Sequence, residues 1–465
     1  MKTLLALFMI IILLKGHVAG SEREENLHFG RFGEVIIYRN TSQPTHVVLF
    51  VSGDGGWNLG VVDMAKALAE NDALVVGIDI TVYLKQLENS NETCLYPAAD
   101  FEMLSKFVQK KIGFPVYRTP VLVGYSSGAT LVYALLGQAP PGTFRGAMSL
   151  GFCPDLGVNK PFCKGFGLEW RPGSKGKGSM FMPVQHLQEP WIAFQGTIDQ
   201  VCDPAATEKF VKQVNNGKTI LLPKVGHGFS VQKNWMPQFK AAFGSLMTGP
   251  DNRKPSVDPN LSDLPLIELP VEKSSGDRFV VMVTGDGGWA GIDREIGAAL
   301  VGKGVPVIGL NALAYFWTSR TPEGTARDLS RIIGHYRSFW KKKEVILVGY
   351  SLGANVIPFM INRLPKENRK SVSGIVLIGP SRTAAFEFHI SDWFGSTGEQ
   401  GVHQVLPEVE KLEEFPLLCF MGSLESDSLC HDVKLPKAKI IILTGGHHLG
   451  GDYGRIAQTI LSEIK

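Results

Sequence analysis

One short pattern occurs twice in this chain and constrains its fold more than any other feature. The apolar residues 345–348 run into Gly-Tyr-Ser-Leu-Gly around Ser351, and residues 121–123 run into Gly-Tyr-Ser-Ser-Gly around Ser126. An apolar run, this motif and a helix-forming stretch together predict a buried strand, a tight turn and a helix. The glycines beside each serine leave room where a side chain would clash. Each serine is therefore predicted to stand at the tip of a strand–turn–helix unit.

A second motif, Gly-Asp-Gly-Gly-Trp, also occurs twice, at residues 53–57 and 285–289. Each copy follows a predicted strand, residues 46–51 in the first half and 279–283 in the second. A further strand is predicted between the two motifs of each half, at 73–80 and 305–310. The shared order of these parts indicates an internal repeat. Each copy has about 200 residues, which is enough for a core of its own.

The repeat and the composition between its copies set the domain boundaries. We predict a signal peptide at 1–20, a first domain at 21–247, a linker rich in Pro, Asn, Asp and Ser at 248–263, and a second domain at 264–465. Continuous apolar strands that alternate with helices predict parallel sheets covered on both faces. The predicted fold class is α/β: a tandem duplication of two domains, each a mostly parallel sheet flanked by helices.

The N-terminus has the pattern of an export signal. Lys2 precedes an apolar run at residues 4–14, and small residues at 18–20 offer a cleavage site before Ser21. A run this short cannot span a bilayer core of about 30 Å, so a cleaved signal is favoured over a membrane anchor. The net charge of +3 over 465 residues gives no reason to expect nucleic-acid binding.

The cysteine count fits an exported protein, because each half holds an even number. The first half contains Cys94, Cys153, Cys163 and Cys202, and the second contains Cys419 and Cys430. In an oxidising compartment they allow two bridges and one bridge, while buried free thiols remain the alternative. The three pairings of the first four are left open. None has the spacing of a zinc site, and no metal or organic cofactor is implied.

A serine at such a turn is a candidate nucleophile, and acyl transfer then requires a base, an acid that orients the base, and donors for the oxyanion. In enzymes of the α/β-hydrolase type the chain order is serine, acid, histidine. The candidates in that order are Ser351, Glu425 or Asp427, and His447 in the second half, and Ser126, Asp199 and His227 in the first. His447 is favoured over His448 because it aligns with His227. Each acid and histidine follows a late predicted strand, so both should lie at the sheet edge where ligands bind.

The oxyanion donors are predicted from the same geometry. One should be the backbone N–H after the nucleophile, on Leu352 or Ser127. The other should come from the Gly-Asp-Gly-Gly-Trp loop, near Asp286 or Asp54. An aspartate is unusual here, because a carboxylate opposes a developing oxyanion. Its side chain is expected either to cap the following helix or to face the pocket and favour a cationic substrate.

These motifs together resemble a known family. The export signal, the duplicated Gly-Asp-Gly-Gly-Trp and Gly-Tyr-Ser-x-Gly-Ala, Asp-Ser-Leu-Cys at 427–430 and Gly-Gly-His-His at 445–448 are similar to the AcvB/VirJ family of bacterial virulence proteins. The resemblance covers nearly the whole chain. It implies a periplasmic α/β-hydrolase-type protein. For some members it implies hydrolysis of lysyl-phosphatidylglycerol at the membrane surface, and for others a role with components or substrates of type IV secretion.

We therefore expect a periplasmic serine esterase in which Ser351 is the nucleophile, His447 the base and Glu425 or Asp427 the acid. The expected substrate, implied by the resemblance, is the aminoacyl ester of lysyl-phosphatidylglycerol. The alternative is a periplasmic binding or assembly factor, associated with type IV secretion, that kept the fold and lost the chemistry. An intact set of catalytic residues in both halves favours the enzyme.

Overall fold

A computed structural model describes residues 23–173, 176–248, 259–272, 274, 276–388 and 402–464. The predicted signal peptide and most of the predicted linker lie outside the described residues. Within them the chain forms two α/β units, each built on one large sheet, so the predicted tandem duplication and fold class are confirmed.

The first domain is an eight-stranded sheet in the order β1-β2-β4-β3-β5-β6-β10-β11. Strands β1 and β2 join it antiparallel, and the other neighbours run parallel. A separate three-stranded sheet, β7-β9-β8, is inserted between β6 and β10. The strands are β1 Arg23–His28, β2 Glu34–Arg39, β3 His46–Val51, β4 Ala73–Ile78, β5 Val121–Tyr125, β6 Gly146–Leu150, β7 Asp155–Leu156, β8 Trp170–Pro172, β9 Ser179–Phe181, β10 Trp191–Gly196 and β11 Gly217–Leu222. The helices are α1 Leu59–Ala69, α2 Ile80–Glu88, α3 Pro97–Ile112, α4 Ser127–Gln138, α5 Pro204–Val211 and α6 Met236–Thr248.

The second domain repeats this plan with seven strands in the order β12-β14-β13-β15-β16-β19-β20. Only β12 joins that sheet antiparallel. The strands are β12 Leu266–Leu269, β13 Arg278–Val283, β14 Val307–Leu310, β15 Glu344–Tyr350, β16 Val372–Ile378, β17 Thr383–Ala385, β18 Val402–Gln404, β19 Leu417–Gly422 and β20 Ala438–Leu443. The helices are α7 Gly291–Gly302, α8 Ala312–Tyr315, α9 Pro322–Phe339, α10 Leu352–Asn362, α11 Lys366–Arg369, α12 Leu406–Glu410 and α13 Tyr453–Glu463.

Two predicted strands are shorter in the structure than in the sequence prediction. The strand predicted at 73–80 ends at Ile78, because Asp79 caps helix α2 and its carboxylate accepts the N–H of Thr81. The strand predicted at 305–310 begins at Val307, after a proline that lacks the N–H a ladder requires. These differences move no predicted site residue.

The cores lie on both faces of each sheet, as fully buried parallel strands require. The core of the second domain also includes Leu261, which belongs to the predicted linker. The packed part of the second domain therefore begins about three residues before the boundary predicted at 264.

All six cysteines are paired, and the pairs stay within each half as the even counts predicted. The bridges are Cys94–Cys163, Cys153–Cys202 and Cys419–Cys430. Two of them begin or end beside the candidate acids: Cys202 lies three residues after Asp199, and Cys430 five residues after Glu425. Each domain thus holds the loop of its candidate acid with a covalent link.

The two domains meet with opposite edges of their sheets. His46, Thr119 and Arg145, at or just before the first residues of β3, β5 and β6, line one side of a cleft between them. Leu266 and Asn311, at the carboxyl edge of the second sheet, line the other side. The carboxyl edge of the second sheet therefore faces the amino edge of the first sheet.

Two further findings concern the described residues alone. No helix among them is both long and apolar enough to cross a membrane. No three of their His, Cys, Asp or Glu side chains converge in a way that could hold a metal ion.

Candidate active sites

Both serines occupy strained turns between a strand and a helix. Ser126 has φ 55° and ψ −121° between β5 and α4, and Ser351 has φ 51° and ψ −114° between β15 and α10. Non-glycine residues rarely adopt positive φ, and such strain is common at catalytic sites. A Cβ on Gly128 would lie 2.3 Å from the carbonyl oxygen of Ser52, and one on Gly353 would lie 2.0 Å from that of Val283. The glycines of the motif are therefore required by the close approach of neighbouring backbone.

The first domain holds a continuous hydrogen-bonded series of three side chains. Ser126 Oγ lies 2.9 Å from His227 Nε2, and His227 Nδ1 lies 3.0 Å from Asp199 Oδ2. The other carboxylate oxygen of Asp199 accepts the backbone N–H groups of Val201 and Cys202. Three residues far apart in sequence thus meet at the carboxyl edge of the sheet, in the order that a serine nucleophile, a base and its orienting acid require.

The environment of Asp199 favours its ionised form. Burial by itself would raise the pKa of this carboxyl, but the hydrogen bonds from the N–H of Cys202, from His227 and from the N–H of Val201 together bring the pKa below its ordinary value. An ionised Asp199 accepts a hydrogen bond from the N–H at Nδ1 of His227, which leaves Nε2 facing the serine. The structure therefore supplies the tautomer that a general base requires.

The second domain pairs its histidine with Glu425. His447 Nδ1 lies 2.6 Å from Glu425 Oε1, and Glu425 Oε2 accepts the N–H of Gly422. Asp427 is exposed, and within the described residues its carboxylate bonds no histidine. Of the two acids left open by the sequence, the structure brings Glu425 to the histidine.

His448 lies beside this pair without joining it. Its ring centroid is 6.4 Å from that of His447, and within the described residues no hydrogen bond links it to Glu425. His447 instead occupies the place of His227, because each ring lies against the glycine after the equivalent strand. A Cβ on Gly379 would be 2.8 Å from His447 Cε1, and one on Gly151 would be 3.0 Å from His227 Cε1.

The two sites differ in how the serine is engaged. In the part of the chain that the structure describes, no hydrogen bond joins Ser351 Oγ to His447, whereas Ser126 is bonded to His227. The side chain of His447 is also more open, at 40% exposed against 16% for His227. Hydrogen bonds at catalytic sites are often long without substrate and tighten once it binds. The first site is thus preassembled, whereas in the second the bond between the serine and the histidine has still to form.

The backbone N–H groups predicted as oxyanion donors are unpaired at both sites. Across the described ranges, the backbone N–H groups of Ser127, Leu352, Asp54 and Asp286 have no hydrogen-bond partner. A Cβ on Gly53 would lie 3.0 Å from Ser126 Cβ, and one on Gly285 would lie 3.5 Å from Ser351 Cβ, so each loop reaches its own serine. Unpaired N–H groups beside a nucleophile form the donor set that a tetrahedral oxyanion needs.

The expectation that the loop aspartates cap the next helix is wrong. Helix α1 has Asn58 at its N-cap and α7 has Ala290, and neither makes a side-chain cap bond. Asp54 is exposed, whereas Asp286 is half-buried and lies near Lys106 of the first domain. Burial lowers the pKa of Lys106, but Glu102 and then Asp286 bring that pKa above its ordinary value. The two aspartates therefore occupy different surroundings, and of the two it is Asp286 that faces a cation.

Sequence reasoning missed Asp293, a buried acid behind the loop of the second site. The N–H of Gly285 donates to its Oδ2 at 3.4 Å, while its Oδ1 has no hydrogen-bond partner among the described residues. Burial, and secondarily the charge of Asp286, raises the pKa of Asp293 well above its ordinary value. The repeat offered a signal, because the position four residues after the motif tryptophan is Val61 in the first copy and Asp293 in the second.

One family model matches the chain in two regions. Residues 45–148 and 277–465 match the model described as "Bacterial virulence protein (VirJ)". The first region includes Ser126 and ends before Asp199 and His227, while the second includes Ser351, Glu425 and His447. No curated protein sequence matches the chain.

Solved structures with similar folds each cover about half of this chain. They include an esterase domain from Rhodothermus marinus (14% identity, 49% of this chain and 98% of that chain, TM-score 0.34). They also include Est1E from Butyrivibrio proteoclasticus (11%, 48% and 98%, TM-score 0.32) and an α/β serine hydrolase from Xanthomonas campestris described as lacking a lid (18%, 49% and 92%, TM-score 0.31). Identities this low leave the substrate to be argued from the site itself.

Proposed function

This chain belongs to the VirJ family of bacterial virulence proteins, whose model matches more than half of its length, and from that premise we propose that it is a serine esterase. The observation that supports the activity best is the hydrogen-bonded series Ser126–His227–Asp199. The same strained turn with a serine, and a histidine paired with an acid, recur in the second domain. Both sites therefore hold the groups that acyl transfer requires.

The reaction follows from the positions of these groups. The serine Oγ attacks the ester carbonyl carbon while the histidine Nε2 takes the hydroxyl proton. The carbonyl oxygen becomes an oxyanion, which the N–H after the serine and an N–H of the Gly-Asp-Gly-Gly-Trp loop stabilise. The histidine then passes its proton to the leaving alcohol, and water releases the acyl group by the same steps in reverse order. The acid holds the imidazole throughout.

We propose the aminoacyl ester of lysyl-phosphatidylglycerol as the substrate, with lysine as the acyl group and phosphatidylglycerol as the leaving alcohol. The acidic surroundings of Ser351 support a cationic acyl group, because Asp286 and Glu425 both lie at this site. The motifs shared with the AcvB/VirJ family support the same choice.

A lipid substrate is supported by exposed apolar side chains beside both candidate acids. Leu424, next to Glu425, is 79% exposed, and Ile198 and Val201, on either side of Asp199, are 61% and 67% exposed. Apolar groups at the mouth of a site favour contact with a membrane surface. The same arrangement at both sites fits an enzyme that works on an ester at the surface of a bilayer.

The test combines a covalent probe with the lipid. A fluorophosphonate should label Ser126 and Ser351 of the purified protein, with each site read separately from its tryptic peptide. Vesicles that contain lysyl-phosphatidylglycerol should release free lysine. Ser126→Ala and Ser351→Ala should each remove one labelled peptide, and the double variant should lose lysine release. Ser426→Ala, an exposed hydroxyl on the acid loop of the second site, is the matched control.

The rival function, a binding or assembly factor without catalysis, predicts a different outcome. Neither serine would react faster than the hydroxyl of Ser426, and vesicles would release no lysine. Labelling without lysine release would keep the esterase and exclude the proposed lipid.

A further inference from the structure

We propose that the second active site is composite, and that Lys106 of the first domain is a positioning residue for its oxyanion loop. The inference rests on the proposed esterase function of Ser351. Lys106 lies in the middle of α3, 180 residues before the loop residue Asp286 that it contacts. Its bond goes to a backbone carbonyl of that loop, so it acts through the loop backbone.

Lys106 is held in one place by several contacts. Its side chain is only 1% exposed, and its Nζ donates to the backbone carbonyl of Asp286 at 3.3 Å. Glu102, one turn earlier on α3, pairs with it at 2.7 Å, and the ring of Phe388 lies 5.6 Å away. Burial of an ammonium is costly unless it is paired and hydrogen-bonded, and here it is both. A lysine placed in this way can fix the position of the carbonyl it binds.

The bonded carbonyl belongs to the peptide between Asp286 and Gly287. The C=O and N–H of a trans peptide point in opposite directions, so a carbonyl held toward Lys106 turns the N–H of Gly287 away from it. Glycine permits such a peptide to flip at little cost, and the space around Gly287 is open, since a Cβ added there would have no neighbouring atom within 4 Å. The bond from Lys106 therefore fixes the peptide that directly follows the candidate donor N–H of Asp286, and so holds the backbone of that residue against rotation.

Other contacts from the first domain support the same loop. A Cβ on Gly142 would lie 3.2 Å from the carbonyl oxygen of Trp289, and one on Gly291 would lie 3.2 Å from Pro140. Farther along α7, Arg294 donates to Gln188 at 2.7 Å. The first domain thus contacts the loop and the first turn of the helix after it.

The first site has no equivalent support from the other domain within the described residues. Asp54 is exposed, and in that part of the chain its carbonyl accepts no hydrogen bond. Since both serines occur in one chain, Ser126 provides an internal reference for any change that acts on Ser351 alone.

The experiment measures the rate of fluorophosphonate labelling at each serine in the full chain. Lys106→Met should slow labelling of Ser351 by about tenfold or more, because loss of an aligned oxyanion donor costs about 10²–10³ in rate. Labelling of Ser126 should stay within about twofold. In a Ser126→Ala background, kcat on a soluble ester should fall while KM stays constant, since the oxyanion forms only in the transition state.

Two further variants separate positioning from packing. Lys106→Arg keeps the cation and should restore most of the Ser351 rate. Lys110→Met removes another cation of the domain contact, which binds the carbonyl of Trp317 rather than the loop, and should leave the Ser351 rate unchanged. Equal labelling of Ser351 in Lys106→Met and wild type, or an equal loss in Lys110→Met, overturns the proposal. Absence of Ser351 labelling in wild type would instead refute the proposed function.

Discussion

At the scale of single residues, the two candidate sites hold the same types of group apart from the acid, and they differ in how fully these groups are hydrogen-bonded. Asp199 is fully enclosed and bonded to two backbone N–H groups, whereas Glu425 is longer and reaches a more open histidine. The longer side chain of Glu425 still reaches its histidine, at 2.6 Å between Oε1 and Nδ1. Variants of Glu425 and Asp427 therefore test which of the two acids orients His447.

We expect Glu425→Gln to reduce esterase activity of the second site by about 10²–10⁴-fold, because an amide no longer selects the reactive tautomer of His447. The measurement is kcat on a soluble ester in a Ser126→Ala background. Asp427→Asn, two residues away and exposed, is the control and should retain full activity. A large loss in the control with little loss in Glu425→Gln would assign the acid to Asp427.

Asp293→Asn should change the pH dependence of stability. The raised pKa of Asp293 means that the folded protein keeps this proton after the unfolded chain has released it. Stability therefore falls as pH rises from the ordinary aspartate range, near 3.9, toward the raised pKa, by about 1.4 kcal/mol per pH unit. The amide does not titrate, so the variant should match wild type near pH 3.5 and be more stable at pH 7. Denaturant unfolding across this range measures the difference, and a difference that is constant with pH would contradict the expectation.

Leu424→Ser should weaken activity on vesicles and spare activity on soluble esters. Leu424 is exposed beside Glu425, and burying such a side chain in a lipid surface is worth about 1.5–3 kcal/mol. We expect lysine release from lysyl-phosphatidylglycerol vesicles to fall about tenfold or more on this account. Ser426→Ala on the same loop is the control. An equal loss on both substrates would show that Leu424 shapes the site rather than the membrane contact.

The sequence predicted the serines and histidines because each follows a strand and both copies repeat the spacing. It could not choose between Glu425 and Asp427, since that choice depends on the path of a loop rather than on an element. The role of Lys106 could not be predicted from the sequence for another reason. A lysine in an amphipathic helix is ordinarily solvated, and only the position of the second domain buries it.

At the scale of elements, the strands that were predicted as continuous apolar runs are the buried strands of the two sheets, and errors are confined to their ends. The residue that caps the following helix determines where such a strand ends, as Asp79, the N-cap of α2, does for β4. The disulfide pairing within the first domain was left open by the sequence, because four cysteines on separate loops have no local signal of which two will meet. The structure joins Cys153 to Cys202, and so links the loop after β6 to the loop of Asp199.

Removing this bridge should affect the first site specifically. The N–H of Cys202 donates to Asp199, so a looser loop weakens the hold on the acid. We expect Cys153→Ala/Cys202→Ala to lower stability by about 2–4 kcal/mol and to slow labelling of Ser126 several-fold, with Ser351 unchanged. Cys94→Ala/Cys163→Ala removes the other bridge of the domain, which lies on different loops, and should lower stability without the same loss of labelling. Equal effects of the two pairs on Ser126 would assign the bridges a purely structural role.

At the scale of the whole molecule, duplication produced two similar domains that are not placed equivalently. The carboxyl edge of the second sheet faces the amino edge of the first sheet. In the part of the chain that the structure describes, the contacts between the domains do not involve the carboxyl edge of the first sheet. The motifs predict each sheet, but nothing in a strand or helix pattern fixes how two finished domains pack. The two sites therefore differ through their neighbours more than through their own residues.

Trp317 tests whether this packing stabilises the second domain. It is buried at the contact, its Nε1 donates to the carbonyl of Phe114 of the first domain at 2.7 Å, and its ring packs against Tyr117 and Phe388. Trp317→Ala should remove about 3–5 kcal/mol, which for a domain of this size lowers its melting temperature by roughly 10 °C. Because each domain contains one candidate nucleophile, labelling of Ser351 and Ser126 against temperature reports the two domains separately. We expect the Ser351 curve to move and the Ser126 curve to stay, whereas Trp170→Ala in the first domain should move only the Ser126 curve. If Trp317→Ala shifted both curves equally, the two domains would unfold as one cooperative unit. The stability of the second domain would then depend on its packing against the first as well as on its own core.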